Sequence, residues 1–557
     1  MSIVVLTLTM LMVALVWLVN SAMVQNRLVQ YAVELLKEQL QTEVSIKHVC
    51  FSLRRGHVTV MGLEVEDRQR RKMLQIKEVN VRLDIKSFIR NREVVVTAAH
   101  IGGLQARLCK PATPKDSVAN YKFLIEAFKP QNHQDKDNDM TPEKRNKRLV
   151  VLRASNITID VDSLRFTTDN GKQRRNTGKP HHGFFDAGHL DVRAALKLEL
   201  HNISAEGCHI VLTDCHAEDP GAKWQIDSLR LTADITKDSM VVSDVQVRLP
   251  NTSLDFERAI VHLPNERKNR VLRYHTSTIN GSTQLKDIAK TFAPVLQNFK
   301  IPLQFRCSLI GVADNMSFND VHVETTDKRL KINAKGGISH LSSKEQLHIY
   351  FDIGQMKAIG DVKERIINQF TVKIFMMKQL RNLGNIGYRG HFDILYKKEK
   401  FQGKLTTEVG NSDFRFSIDE KQKYLTGTVK TTAIDLGQVM DMDDMGKIAC
   451  HADFKIDISK PRTAKMRLQK GGKLPIGSVD AKVQEANYKF IKVKNVDAHI
   501  ISDGAIAEGY LVEYSKLIDI TCRFSFTNTD KMQETKIRPG LKIHLFKKKK
   551  NKHSESF

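Results

Sequence analysis

The sequence lacks the compact signatures of covalent, metal or nucleotide chemistry. It has no G-x-S-x-G elbow, no H-E-x-x-H pair and no Walker loop. Gly384, Gly387 and Gly390 have the wrong spacing for a dinucleotide turn and lead into a strand pattern. They read as turn and bulge glycines. Asp441, Asp443 and Asp444 crowd together without the spacing of a calcium loop. No aromatic-and-basic surface of the RNA-recognition type occurs. The chain is therefore expected not to be an enzyme and to need no cofactor.

Cysteine is sparse. The 7 residues are odd in number and irregularly spaced, which argues against a disulfide framework. The nearest pair is Cys208-His209 and Cys215-His216. A structural metal would need four converging ligands there, and half-buried strand cysteines are the simpler expectation. His181-His182 lies in a polar stretch and reads as solvated. Positive charge is what the chain has in excess, with 88 Lys and Arg against 63 Asp and Glu and a formal charge of +25. That balance favours acidic partners such as anionic lipid surfaces, lipopolysaccharide phosphates or nucleic acid. Charge alone is weak ground for nucleic acid, and none is expected.

Charge is also missing from the first 26 residues. The run Ile3 to Val24 is about 33 Å long as a helix, enough to cross a hydrocarbon core. A cleaved signal peptide would need a basic start and a shorter apolar run, so residues 1–24 read as an uncleaved transmembrane anchor. Residues 25–42 follow as an amphipathic helix, with Leu28, Ala32, Leu35, Leu36 and Leu40 on one face.

Beyond Thr42, period-2 alternation dominates. Leu190, Val192, Ala194, Leu196, Leu198 and Leu200 alternate with Asp191, Arg193, Ala195, Lys197 and Glu199. Leu347, Ile349, Phe351 and Ile353 repeat the pattern, as do Phe414, Phe416 and Ile418. Each run predicts a strand with one apolar and one polar face, and about 25 to 30 such strands are expected. Pro250-Asn251, Gly336-Gly337, Gly410-Asn411 and Gly471-Gly472 read as turns between them. In places the alternation slips by one, as between Val44/Ile46 and Phe51/Leu53, which predicts bulges. A sheet with one apolar face must hide it. A sandwich, a closed barrel or a curled trough with an apolar filling would each do so.

Helices are few. Short ones are expected around Val118–Phe128, Leu285–Phe299, 361–370, 375–383 and 434–441. Polar loops lie near 129–148 and 168–183. Residues 43–545 form the β domain, and 546–557 form a basic tail.

The order of these pieces is familiar. The anchor, the amphipathic helix and "VSIKHVCFSLRRGHVTVMGLEVED", with Gly62, Leu63 and Val65 in a turn-and-strand, resemble the start of AsmA-like proteins. "SFIRNREVVV", "SVANYKFLIEAF", "LPNTSLDF", "IGYRGHFDILYKKEKFQGKLTTEVGNSDFRFSI" and "YLTGTVKTTAIDLGQVM" are similar to the TamB-like members of the Bacteroidota type. The likeness covers roughly residues 1 to 535. It rests on the order of many weak motifs.

The resemblance implies a mostly β protein: an N-terminal transmembrane helix, then an elongated, curled antiparallel sheet (a β-taco or repeating β-groove) with a few short helices. It implies a single-pass inner-membrane anchor with the bulk in the periplasm. The implied function is cell-envelope biogenesis, with phospholipid acyl chains carried along the apolar groove between membranes. The alternative is a scaffold for outer-membrane protein insertion or secretion, working by β-augmentation with a TamA-like barrel partner. TamB-like chains run longer and end in a carboxy-terminal domain, so the resemblance is to their amino-terminal portion, and a short AsmA-type member, a truncated TamB-like chain or a frameshifted remnant are the expectations. The groove walls are expected among Val44, Ile46, Phe51, Leu53, Val81, Leu83, Ile85, Leu196, Leu198, Ile349, Phe351, Phe414 and Phe416.

Overall fold

A computed structural model describes residues 22–52, 56–84, 94–111, 119–128, 150–169, 183–186, 188–203, 207–264, 271–341, 343, 345–369, 377–441, 443–458, 474–488, 491–513, 518–528 and 533–543. The protein is mostly β, with 28 strands among these residues. It divides into two units, Met1–Ala313 and Asp314–Phe557.

The first unit opens with helix α1 (Ala22–Leu40). Its strands are β1 (Val44–Ser45), β2 (His48–Ser52), β3 (His57–Glu66), β4 (Lys72–Leu83), β5 (Val94–Pro111), β6 (Val150–Asp169), β7 (Asp191–His201), β8 (Gly207–Asp219), β9 (Trp224–Ile226), β10 (Ser228–Thr236), β11 (Ser239–Leu249), β12 (Thr252–His262), β13 (Arg273–Thr276), β14 (Ile279–Thr283) and β15 (Leu303–Val312). Both β1 and β2 pair with β3, and a ladder then runs on to β15. The short β9 sits beside β8, while β10 pairs with β8 directly. β12 meets both β13 and β14, which share β15.

One pair corrects the antiparallel expectation. β5 and β6 are parallel. The chain does not turn back in a hairpin after β5; it passes through helix α2 (Lys122–Phe128) and enters β6 in the same direction, as a parallel pair requires.

The slip read near residue 46 is present. Lys47 N–H donates to Met61 O at 3.1 Å, and Gly62 has φ +66°. A Cβ on Gly62 would lie 2.6 Å from Lys47 Cδ. Glycine is therefore needed both for the left-handed backbone and for the lysine stem that crosses it.

The second unit is a meander of thirteen strands, all antiparallel to their neighbours: β16 (Asn315–Thr325), β17 (Leu330–Ser339), β18 (His348–Ala358), β19 (Ile386–Leu395), β20 (Lys398–Thr407), β21 (Gly410–Asp419), β22 (Tyr424–Asp435), β23 (Met445–Asp457), β24 (Ile476–Tyr488), β25 (Ile491–Asp503), β26 (Ile506–Glu513), β27 (Ile518–Asn528) and β28 (Gln533–Ile543). Gly336-Gly337 is not the turn that the sequence suggested. Both lie inside β17, and the rings of Phe351 and Tyr350 on the next strand fold over them.

The remaining helices are short. α3 (Lys286–Phe292) is in the first unit; α4 (Val362–Ile367), α5 (Met377–Asn382) and α6 (Leu436–Met440) are in the second. They fall where helices were expected. No helix among the described residues is long and apolar enough to cross a membrane. The expected anchor falls almost wholly on residues 1–21, outside the described residues. So do most of the two polar loops and all of the basic tail.

Candidate apolar binding face

β20 shows the principle of the face in one strand. Phe401, Gly403 and Leu405 are half-buried, while Lys400, Gln402 and Lys404 between them are exposed. Residues paired directly across strands share a face, so the pairing register can be followed from strand to strand. Starting at Phe318, it runs through Gly336, Phe351, Phe392, Phe401, Phe416, Gly427, Phe454, Val479, Ile500, Gly509 and Phe524 to Ile537. This row crosses every strand of the second unit without a polar residue. Two residues along, a second row runs Val321, Ala334, Ile353, Gly390, Gly403, Phe414, Val429, Ala452, Ala481, Ala498, Leu511, Cys522 and Pro539 on the same face, again with no polar side chain.

The phenylalanines touch along the row. Ring centroids are 5.6 Å apart for Phe351–Phe392, 6.0 Å for Phe392–Phe401 and 4.9 Å for Phe401–Phe416. Each such pair adds about 0.5–1.5 kcal/mol beyond its buried area. Glycine leaves no hole in the row, because a neighbouring ring lies over it. Phe351 covers Gly336, Phe454 covers Gly427 and Phe524 covers Gly509, each within 2.8 Å of where a Cβ would stand.

None of the described phenylalanines in these two rows is fully buried. In a sealed two-layer core, rings in the middle of the sheet would lose almost all contact with solvent. Here they keep part of it.

The first unit builds the same kind of face more tightly. Val58, Val81, Ala99, Ile157, Leu200, Ile210, Ala233, Val242 and Ala259 form one row. Val60, Val79, Ile101, Ile159, Leu198, Leu212 and Leu231 form the next. Two further rows run Leu63, Ile76, Leu104, Val161, Leu196 and Cys215, then Val44, Val65, Leu74, Ala106, Leu164, Ala194 and Ala217. A left-handed kink at Gly62 and register shifts between Ile101 and Leu104 and between Val161 and Leu164 keep these residues on one face although their sequence parity changes. At the start of the sheet the face is covered. Leu40 of α1 and Phe123 of α2 join Val44, Val65 and Met73 in one buried cluster, with Ile46 packed against it.

The thirteen residues singled out from the sequence fall into several settings. Val44 and Ile46 belong to the helix-covered end. Val81 and Leu83 pack around buried Val96 and Ile157. Leu196 and Leu198 lie in adjacent rows of the first unit. Phe351 and Phe416 share the central row of the second unit, Phe414 is in the row beside it, and Ile349 is two residues along the strand from Phe351. The backbone of Phe51 pairs with that of Val58. Leu53 and Ile85 lie outside the described residues. Phe318, Phe392, Phe401 and Phe454 were missed. Their signal is the spacing of aromatics against glycine, as in Phe401-Gln402-Gly403, which becomes legible only with the register.

The opposite face is polar and pairs its charges across strands. His209 Nδ1 lies 2.6 Å from Asp234, and Arg165 Nε donates to Asp191 at 2.7 Å. His391 is held between Asp352 at 2.6 Å and Asp393 at 3.0 Å, and Asp393 also meets His348 at 2.7 Å. Burial disfavours the His391 imidazolium, but the two carboxylates outweigh burial and raise its pKa. Burial likewise pushes Asp393 up, and its two histidines more than reverse this, so its pKa is lowered. Cys208 and Cys215 both lie on β8, and burial raises both thiols. No group of three or more metal-ligating side chains converges among the described residues.

No protein-family model matches the chain, and neither the curated proteins nor the solved structures contain a match to it.

Proposed function

We propose that the apolar face is a carrier surface for acyl chains, and that the protein is an inner-membrane-anchored, periplasmic member of the AsmA-like, TamB-like group that moves phospholipid between envelope membranes. One observation carries the reading: two apolar rows cross all thirteen strands of the second unit unbroken, and their phenylalanines stay partly exposed. An acyl chain in water exposes about 0.8 kcal/mol of unfavourable surface per methylene. A continuous apolar row removes that penalty at every strand, and no step needs covalent chemistry. A sheet curled around this face, as in a β-taco, would form a trough closed to water on three sides.

The face is tested by native mass spectrometry with lipid extraction on the purified full chain. Co-purified phospholipid is expected, with less of it in Leu198→Asp, whose carboxylate would stand in a row of the first unit. A chain that carries no lipid would sink the proposal.

A second reading has its own observation. Among the described residues, β28 pairs on one side only, which leaves an edge that could accept a strand of an outer-membrane protein delivered to a TamA-like barrel. Pro539, Arg538, Lys536 and Lys542 all lie on that edge, and such residues blunt strand addition. Lipid carriage is therefore the favoured reading. Leu198→Asp separates the two, because it would lower bound lipid and leave capture of a protein partner intact.

A further inference from the structure

The charged face of the second unit departs from cross-strand pairing near its end. Elsewhere Lys492 meets Glu485 at 2.5 Å, and His499 bonds Asp480. In the row that continues from His499, Tyr510 pairs with Arg523, and Arg523 pairs directly with Arg538. Two guanidinium groups placed opposite one another repel. Lys536 is held by Glu534 at 3.1 Å. Arg523 and Arg538 make no described ion pair with a carboxylate. A cavity of about 780 Å³ lies over them. Its lining adds two residues that do not suit a charged face, Ile501 at 54% exposure and Tyr510 at 43%. The Tyr510 ring is steadied by His499, with centroids 5.4 Å apart. Asp503 and Glu508 also line the cavity. Asp503 is turned into its own loop, where it accepts from the amides of Ala505 and Ile506 at 2.9 Å.

We propose that this cavity binds the phosphate of an anionic amphiphile. Arg523 and Arg538 would fork onto the phosphate oxygens, which relieves their mutual repulsion, and Lys536 would add a point charge. Ile501 and Tyr510 would cover the first carbons beyond the ester, which inorganic phosphate does not possess. Gly509 and Phe524 of the central apolar row also touch the cavity, but Arg523, Arg538 and Tyr510 alternate with them and stand on the opposite face, so loss of the arginines tests the site apart from the carrier reading.

The test is isothermal titration of the full chain, in a nonionic detergent, with dihexanoyl phosphatidate and separately with inorganic phosphate. The amphiphile is expected to bind, and inorganic phosphate to bind at least about tenfold more weakly for want of the apolar contacts. Arg523→Gln with Arg538→Gln is expected to lower amphiphile affinity about a hundredfold or more, since both charge-assisted contacts to the phosphate are lost. Tyr510→Ala is expected to weaken the amphiphile alone. Lys404→Gln with Arg415→Gln removes the same charge from the same face and is expected to change affinity little. Circular dichroism checks that each variant keeps its strand signal. Equal loss in the two double variants would reduce the effect to general electrostatics and overturn the site. Equal binding of inorganic phosphate would overturn the amphiphile assignment. The loss caused by Arg523→Gln with Arg538→Gln is expected to be the same in a Phe401→Asp background, and a loss that vanished there would place the binding on the apolar face and overturn the site.

Discussion

Phe401→Asp is the sharpest test of the apolar face. The ring stands in the middle of the unbroken row, 6.0 Å from Phe392 and 4.9 Å from Phe416. An acyl chain lying across the strands would rest about four methylenes on each ~4.8 Å strand spacing. A hydrated carboxylate at position 401 would expel that segment, for a loss of about 3 kcal/mol, or roughly a hundredfold in occupancy. The two lost ring contacts remove about 1–3 kcal/mol of folding stability, which is less than a domain's usual margin of about 5–15 kcal/mol. The variant is therefore expected to stay folded and to lose lipid. The assay counts phospholipid per chain by extraction and mass spectrometry, with a circular dichroism spectrum to confirm the strand content. Lys400→Asp is the control, because Lys400 is exposed on the opposite face of the same strand, and it is expected to retain lipid. If Phe401→Asp carried as much lipid as the native chain, the row would not be a contact surface for acyl chains, and the argument built on register would fail.

Two further outcomes follow from the same geometry. In Gly336→Ala the new Cβ would stand 2.2 Å from the Tyr350 carbonyl oxygen and 2.6 Å from Phe351. Backbone cannot yield as a side-chain tip can, so a loss of about 1–3 kcal/mol is expected; a thermal melt unchanged from the native chain would contradict it. For the histidine network, a raised His391 pKa adds stability that is fully present below its ordinary value of 6.5 and is lost as pH rises through the folded value. A lowered Asp393 pKa adds stability that is present above its ordinary 3.8 and is lost as pH falls through the folded value. The network therefore contributes most between about pH 4 and 6.5. Asp393→Asn should lower the His391 pKa, read by NMR titration, and the stability gap to the native chain should be widest in that window and shrink above it.

Much of the fold is legible in the sequence, because the evidence for it is local. Alternation such as Leu196-Lys197-Leu198 declares a strand with one apolar side whatever surrounds it. The helical spacing in residues 285–299 declares a helix; the chain forms α3 only as far as Phe292 and then a short 3-10 turn at Pro294–Leu296, because Pro294 cannot continue the helix. Harder to read were the features in which a residue's meaning depends on its partner. Gly336-Gly337 looks like a turn from its own composition, and it is a strand because rings from β18 need the room. The parallel pairing of β5 with β6 depends on the direction in which the chain returns, and alternation carries no information about direction. Phe401 and Phe414 sit in different rows although both alternate correctly, because the β20–β21 register decides which residue faces which. The sequence by itself determined which residues are apolar and how often they recur. Only the tertiary structure decided that they line up across thirteen strands, since register is set by turns such as Glu408-Val409 and by bulges such as the one between Phe318 and Val321, and a shift of one residue would send every ring to the opposite face.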